Sequence, residues 1–159
     1  MSLAKTKHLD SSIAVSLGID IYDDNNIRLG LTGNIRRTLY RNIKWTLANT
    51  LYLSSDKNTN QGGHYFAPSL DVAADNEMTI THLTWQDYDK QLKHRLALGI
   101  GVYWQQDYGT NPSLTASYWH DWAISKQLYL TYGVLGQLHA YDGDLESNYG
   151  AQMDFSWRY

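Results

Sequence analysis

Alternation of apolar and polar residues, repeated in long segments separated by turn signals, predicts an all-β chain: an antiparallel up-and-down transmembrane β-barrel of about eight strands. Three observations carry that expectation. Period-2 alternation recurs in segments of roughly 10–15 residues while helical periodicity is missing nearly everywhere. The polar register is rich in small residues, among them Gly18, Gly30, Gly99, Gly101, Gly133 and Gly150. Aromatic residues gather near segment ends, as at Tyr22, Tyr40, Tyr88, Tyr108, Trp119, Trp122, Tyr141, Trp157 and Tyr159.

The first segment is 12–22, with Ile13, Val15, Leu17, Ile19 and Ile21 on one face and Ser16, Gly18 and Asp20 on the other. "DDNN" (23–26) supplies a turn. The second segment, 27–40, sets Ile27, Leu29, Leu31 and Ile35 against Arg28, Gly30, Thr32, Asn34 and Arg36, and "RN" (41–42) fits a tight hairpin. The third, 43–53, aligns Ile43, Trp45, Leu47, Leu51 and Leu53, and a long polar connection occupies 54–68. The fourth, about 69–87, is the least regular because "ADNE" (74–77) interrupts it, which suggests a bulge. The fifth, 94–106, is the clearest, with Leu96, Leu98, Ile100, Val102 and Trp104 opposite Arg95, Ala97, Gly99, Gly101, Tyr103 and Gln105. Segments at about 113–124, 126–141 and 144–159 complete the set. In the last, Leu145, Ser147, Tyr149, Ala151, Met153, Phe155, Trp157 and Tyr159 form one register and Glu146, Asn148, Gly150, Gln152, Asp154, Ser156 and Arg158 the other.

A soluble barrel or sandwich turns its apolar face inward; a membrane barrel inverts this, with lipid outside and a polar lumen. Spanning a bilayer takes about 9–11 tilted residues, against about 5–6 for the usual soluble strand, so the long segments favour inversion. Small residues suit a crowded inside and serve no purpose on a solvent face. Tyr 13 and Trp 6 against Phe 2 favours side chains with an apolar body and a polar tip, the chemistry of aromatic girdles. A mean hydropathy of −0.48 is compatible, because only alternate residues meet lipid. No run is long and apolar enough for a transmembrane helix.

Cys is absent, which removes disulfides and thiolate chemistry, and a net charge of −3 argues against nucleic acid as a partner. Neither a cofactor motif nor metal-ligand spacing is present. "MSLAKTK" (1–7) lacks an apolar core and reads as a tag or linker, leaving 8–159 as a single β-barrel domain. One closed unit is the simplest arrangement. Counting back from a periplasmic Tyr159 makes 41–42, 88–90 and 124–126 periplasmic turns and 23–26, 54–68, 107–111 and 142–144 extracellular, with the longest loop outside.

The ordered set "GGHYFAPSLDV" (62–72), "THLTWQDYDKQLKHRLALGIGVYWQQDYGT" (81–110), "YWHDW" (118–122), "LYLTYG" (128–133) and "YDGDLE" (141–146) resembles the C-terminal strands of the poly-β-1,6-N-acetylglucosamine export porin family, PgaA or HmsH. The resemblance covers 62–159 well and 8–61 loosely. It implies an outer-membrane location and a larger protein, in which a periplasmic helical repeat region precedes a barrel of about twice this strand count. This chain would then be half of a larger wall. It also implies transport of a partly deacetylated, hence partly cationic, biofilm polysaccharide through an electronegative lumen, with outer-membrane lipid around the barrel and a periplasmic deacetylase reached through the upstream region.

On that basis the candidate lumenal acids are Asp20, Glu77, Glu146 and Asp154, with Asp107 and Asp121 nearer the ends. Tyr103, Tyr129 and Trp85 are candidate platforms for stacking sugar rings, with packing inside the lumen or at the girdle as the more ordinary role for such side chains. Arg28, Arg36, Arg95 and Arg158 share the polar register, so an ion-pair ladder filling the barrel is the structural alternative. Two other functions are open. A stand-alone eight-stranded barrel would serve a structural or adhesive role through 54–68. A lipid A-modifying enzyme would need a Ser–His–carboxylate arrangement. Ser117, His120, Asp121 and Ser125 are close in sequence, but adjacent His and Asp project to opposite faces of a strand. His82, His94 and His139 are scattered single residues.

Overall fold

The computed structural model describes residues 10–22, 26–59, 69–141 and 144–158. Eight antiparallel strands follow one another: β1 (Ser11–Ile21), β2 (Ile27–Arg41), β3 (Trp45–Asn58), β4 (Leu70–Asp87), β5 (Lys90–Gln105), β6 (Gly109–Ala123), β7 (Leu128–Tyr141) and β8 (Asp144–Trp157). Each pairs only with its sequence neighbours, in the order β1 to β8. The sheet therefore does not close on itself, and the simplest sequence expectation of a closed unit gives way to its alternative, half of a larger wall.

Pairing settles which side chains share a face, because directly opposed residues project to the same side. One file runs Ile35, Leu51, Asn76, Ile100, Leu114, Leu138, Ser147, and the file beside it is Arg36, Thr50, Glu77, Gly99, Thr115, Gln137. The first face is the oily one, and its large residues are exposed, from Ile13 and Val15 on β1 to Phe155 and Trp157 on β8. Buried residues lie on the other face, chiefly small or polar ones such as Ala48, Thr50, Thr79, Ala97, Gln105 and Ser113. A core of this composition is a polar lumen, and the inverted arrangement holds.

The sheet curls about that face. Residues of β2, β3, β4, β5, β6 and β7 line a common cleft, and a second cleft joins β3 to β8. Glycines permit the tight inner packing. A Cβ on Gly133 would lie 2.7 Å from the Trp119 ring, and one on Gly30 would lie 2.7 Å from Asp56 Oδ1. Trp119 thus lies over Gly133 and Asp56 over Gly30, with a neighbouring strand's side chain covering the gap each glycine leaves.

Connections obey the expected asymmetry. At one end are short turns: Asn42 Oδ1 accepts from the Lys44 and Trp45 amides at 2.9 and 2.7 Å, Tyr88 and Asp89 join Asp87 to Lys90, and Ser125 Oγ accepts from the Leu128 amide at 3.1 Å. Tyr88 adopts a left-handed φ of 50° to make its two-residue turn. At the other end lies the long connection between Asn58 and Leu70, where Asn26 Nδ2 donates to Asn58 Oδ1 at 3.2 Å and ties the first hairpin to β3.

Two sequence expectations change. The third strand runs on to Asn58, so 54–58 belongs to the wall and the connection is shorter than 54–68. The bulge lies between Leu83 and Trp85, and "ADNE" stays in register throughout. A second bulge lies between Thr38 and Tyr40. Residues 1–9, which include the expected tag or linker 1–7, the turn tips 23–25 and 142–143, the loop 60–68 and Tyr159 lie outside the described residues.

Gly133→Val is expected to destabilise the assembled barrel by about 1–3 kcal/mol by clashing with the Tyr118 carbonyl and the Trp119 ring. Gly150→Val, with nothing within 4 Å of its Cβ, serves as the contrast and stays within about 0.5 kcal/mol. Urea unfolding of the detergent-solubilised intact protein reads both.

Candidate functional site

The lumenal wall carries two clefts. The larger, about 560 Å³, lies toward the long-connection end and is lined by Tyr22, Arg28, Asp56, Asp71, Asp75, Tyr103, Ser113, Gln137 and His139, among others. Its carboxylates come from adjacent strands, since Asp56 and Asp71 are directly opposed across β3 and β4. Among the described residues the ion pair here is Arg28 Nε to Asp56 Oδ1 at 3.0 Å. Ser113 Oγ donates to Asp75 Oδ1. The Tyr103 ring sits 4.1 Å from the His139 ring, and its hydroxyl accepts from Gln105 Nε2 at 3.3 Å. One guanidinium therefore faces several carboxylates and two phenols.

The second cleft, about 460 Å³, is lined by Tyr52, Glu77, Arg95, Ala97, Ser117, Trp119, Thr131, Gln152 and Asp154. Thr79 Oγ1 donates to Glu77 Oε1 at 3.0 Å. Arg95 is committed to Asp121 through two hydrogen bonds, both 3.1 Å, and Thr131 Oγ1 donates to the same carboxylate at 3.1 Å. The guanidinium also lies 5.5 Å from the Trp119 ring centroid. With Arg95 held by Asp121, Glu77 and Asp154 face the cleft without an ion pair among the described residues.

These clefts separate the sequence candidates. Glu77 and Asp154 share one cleft, and Tyr103 lines the other. Asp20 stands directly opposite Arg28, and Glu146 opposite His139, both in the lumenal register. Tyr129 is lumenal too, with the Arg158 guanidinium 5.1 Å from its ring and its hydroxyl donating to the Lys126 carbonyl at 3.1 Å. Asp107 sits in the β5–β6 turn at a φ of 74°. Trp85 is placed elsewhere. The bulge inserts one residue, so Trp85 pairs with Leu92, which pairs with Trp122 on the oily face, and the ring belongs to the girdle. Asp56, Asp71 and Asp75 were not among the sequence candidates, although strict alternation from Leu70 would have placed Asp71, Asp75 and Glu77 together.

The residues once weighed for catalysis are dispersed. His120 is in file with His94 on the oily face, while Asp121 and Ser117 are lumenal and Ser125 lies in a turn. No group of three His, Asp or Glu among the described residues is placed to hold a metal ion.

A sheet of long strands, oily on one face and polar on the other, left open at both edges, has the form of part of a membrane barrel wall. The PgaA membrane beta barrel domain matches residues 6–159. This chain belongs to that family. It is a bacterial outer-membrane barrel domain. The poly-beta-1,6-N-acetyl-D-glucosamine export proteins of Escherichia coli K12 and O157:H7 are each 26% identical to it over 109 residues, which is 65% of this chain and 13% of either relative. The chain thus aligns with a small part of those proteins' length. A solved structure described as a bacterial polysaccharide outer membrane secretin superposes with a TM-score of 0.90 at 20% identity. That superposition covers 94% of this chain and 51% of the other, so in fold the PgaA-type domain here is half of the larger barrel.

Arg95 and Asp121 are each about a third exposed, at 36% and 29%, so screening limits their pair. A double-mutant cycle of Arg95→Met with Asp121→Asn, read by urea unfolding of the intact protein, is expected to give a coupling of about 1 kcal/mol.

Proposed function

We propose that this half-barrel forms part of an outer-membrane pore that exports poly-β-1,6-N-acetylglucosamine. The observation that carries the reading is the surplus of lumenal carboxylate around the larger cleft, where Asp56, Asp71 and Asp75 outnumber Arg28. A polysaccharide with some free amino groups is a weak polycation. Fixed carboxylates lower its entry barrier, and several weak sites in succession let it leave again. Glu77 and Asp154 extend the path through the second cleft, while Asp20 and Glu146 flank the first.

Tyr103 and Tyr22 place phenols beside the carboxylates, so a sugar ring meets an apolar face and an acceptor together. Tyr129 provides a third phenol toward the short-turn end, where Arg158 covers its ring. The turns at Asn42, Tyr88 and Ser125 are periplasmic and the long connection after Asn58 is extracellular, following the usual asymmetry of such barrels. The acid-rich cleft then lies near the exit. A periplasmic deacetylase acting before entry would supply the free amines. The work is transport, with no bond made or broken in the wall.

Replacing Asp56, Asp71 and Asp75 together by Asn, in the intact protein, is expected to lower secreted polymer about tenfold while the heat-modifiable barrel band persists on gels. A second set, Asp20, Glu146 and Asp154 to Asn and Gln, is expected to act in the same direction and less strongly. Unchanged secretion in both sets with normal assembly would reject an electrostatic role for the lumen.

A further inference from the structure

The oily face holds a polar constellation that export does not use. Trp45, His82, His94, His120, Tyr132 and Met153 are opposed in turn across β3 to β8, forming one rung perpendicular to the strands. The rings stack along it: Trp45 on His82 at 4.0 Å, His94 against His120 at 4.5 Å, and His120 on Tyr132 at 4.9 Å. Tyr118 Oη lies 2.7 Å from His94 Nδ1, and Tyr132 Oη lies 3.3 Å from His120 Nδ1. A phenol is the better donor and an imidazole nitrogen the better acceptor, so each hydroxyl donates to Nδ1. The ring proton then resides on Nε2. Neither Nε2 has a partner among the described residues, which leaves two N–H donors on a surface that faces lipid.

Two contiguous apolar grooves begin at that rung. One of about 460 Å³ is bounded by Tyr118, His120, Tyr132, Val134, Ala151 and Met153. The next, about 600 Å³, continues past Leu96, Ala116, Gly136 and Tyr149. From His120 to Ala116 along β6 the pair extends roughly 13 Å at about 3.3 Å per residue. The polar head of this arrangement lies near the Lys90 end of β5 and the Ala123 end of β6, one rung inward of the girdle residues Trp85 and Trp122. The apolar grooves run inward from there.

We propose that this surface is a binding site for one glycerophospholipid of the leaflet at the short-turn end. The His94 and His120 N–H groups meet the phosphate diester, and one acyl chain fills the grooves over β6, β7 and β8. The occupant is a lipid rather than free phosphate because His120, with His94 beside it in the same rung, borders a groove that is otherwise almost wholly apolar, and complementarity at both ends requires both parts of one molecule.

The test uses the intact protein, delipidated in detergent and titrated with phosphatidylglycerol or with diacylglycerol, which lacks the phosphate; native mass spectrometry reads occupancy. His94→Phe/His120→Phe keeps the aromatic rung and removes the donors. Gly136→Leu fills the groove, and its Cβ meets nothing nearer than the Asn148 carbonyl at 3.8 Å. Heat-modifiability confirms that each variant is folded. Both variants are expected to bind phosphatidylglycerol about fivefold more weakly, and the parent protein to prefer it over diacylglycerol by a similar factor. Wild-type occupancy in either variant, or equal binding of the two lipids, would overturn the site.

Discussion

Every backbone N–H and C=O inside a hydrocarbon layer must find its partner within protein, and that constraint governs this molecule. It explains why the strands are long and why neighbours pair in simple sequence order. It also explains why irregularity is confined to two bulges near the short-turn end. The outer edges of β1 and β8 are the places where the constraint is not met within these residues. Each unsatisfied group in lipid costs several kcal/mol, so the two edges require further strands. An eight-stranded closed barrel has an interior just filled by side chains. Leaving the edges open for more strands is therefore what gives the lumen room, and the same feature that makes the sheet incomplete makes a pore possible.

Within that wall, charge is sorted along the axis. Asp20, Asp56, Asp71, Asp75 and Glu146 lie toward the long-connection end, with Arg28 among them. Arg36, Lys93, Arg95 and Arg158 lie toward the short-turn end, where Asp121 and the turn-proximal Asp154 offset part of their charge. Cross-strand pairs such as Arg28 with Asp56 and Arg95 with Asp121 do fill part of the lumen, as an ion-pair ladder would. The ladder is incomplete among the described residues, and the carboxylates it leaves over include Asp71, Asp75, Glu77 and Asp154 in the clefts and Asp20 and Glu146 beside them.

Much of this was legible in the sequence because a two-residue period is a strong signal when one face is lipid. All eight strands followed from alternation, as did the register over most of their length. What failed did so where alternation was locally broken. Asn76 occupies an oily position between Asp75 and Glu77, which made "ADNE" read as a disruption and hid Asp71 and Asp75 as lumenal residues. Ser54, Ser55, Asp56 and Lys57 have loop composition, so Asp56 was assigned to a connection although it pairs within β3. Trp85 reaches the oily face through a single inserted residue that alternation does not announce, since a one-residue shift carries every later side chain to the opposite face. The histidines looked scattered because a rung across a sheet has no fixed sequence spacing.

Polar residues on the oily face follow the same rule as the backbone: they are tolerated where they satisfy one another. Asn49 Nδ2 donates to Asn76 Oδ1 at 2.8 Å across β3 and β4, in the middle of both strands. Arg37, directly opposite Asn49, has a stem long enough to carry its charge toward the headgroups. The imidazoles of His94 and His120 each accept from a tyrosine hydroxyl on the same face. Mutual pairing reduces the cost of exposure to lipid: the Asn49 amide is used up on Asn76 Oδ1, the Glu77 carbonyl and Met78 Sδ, while the Asn76 amide and both rings keep a donor over. The outer surface is thus divided into an inert majority and a few positions with hydrogen-bonding capacity.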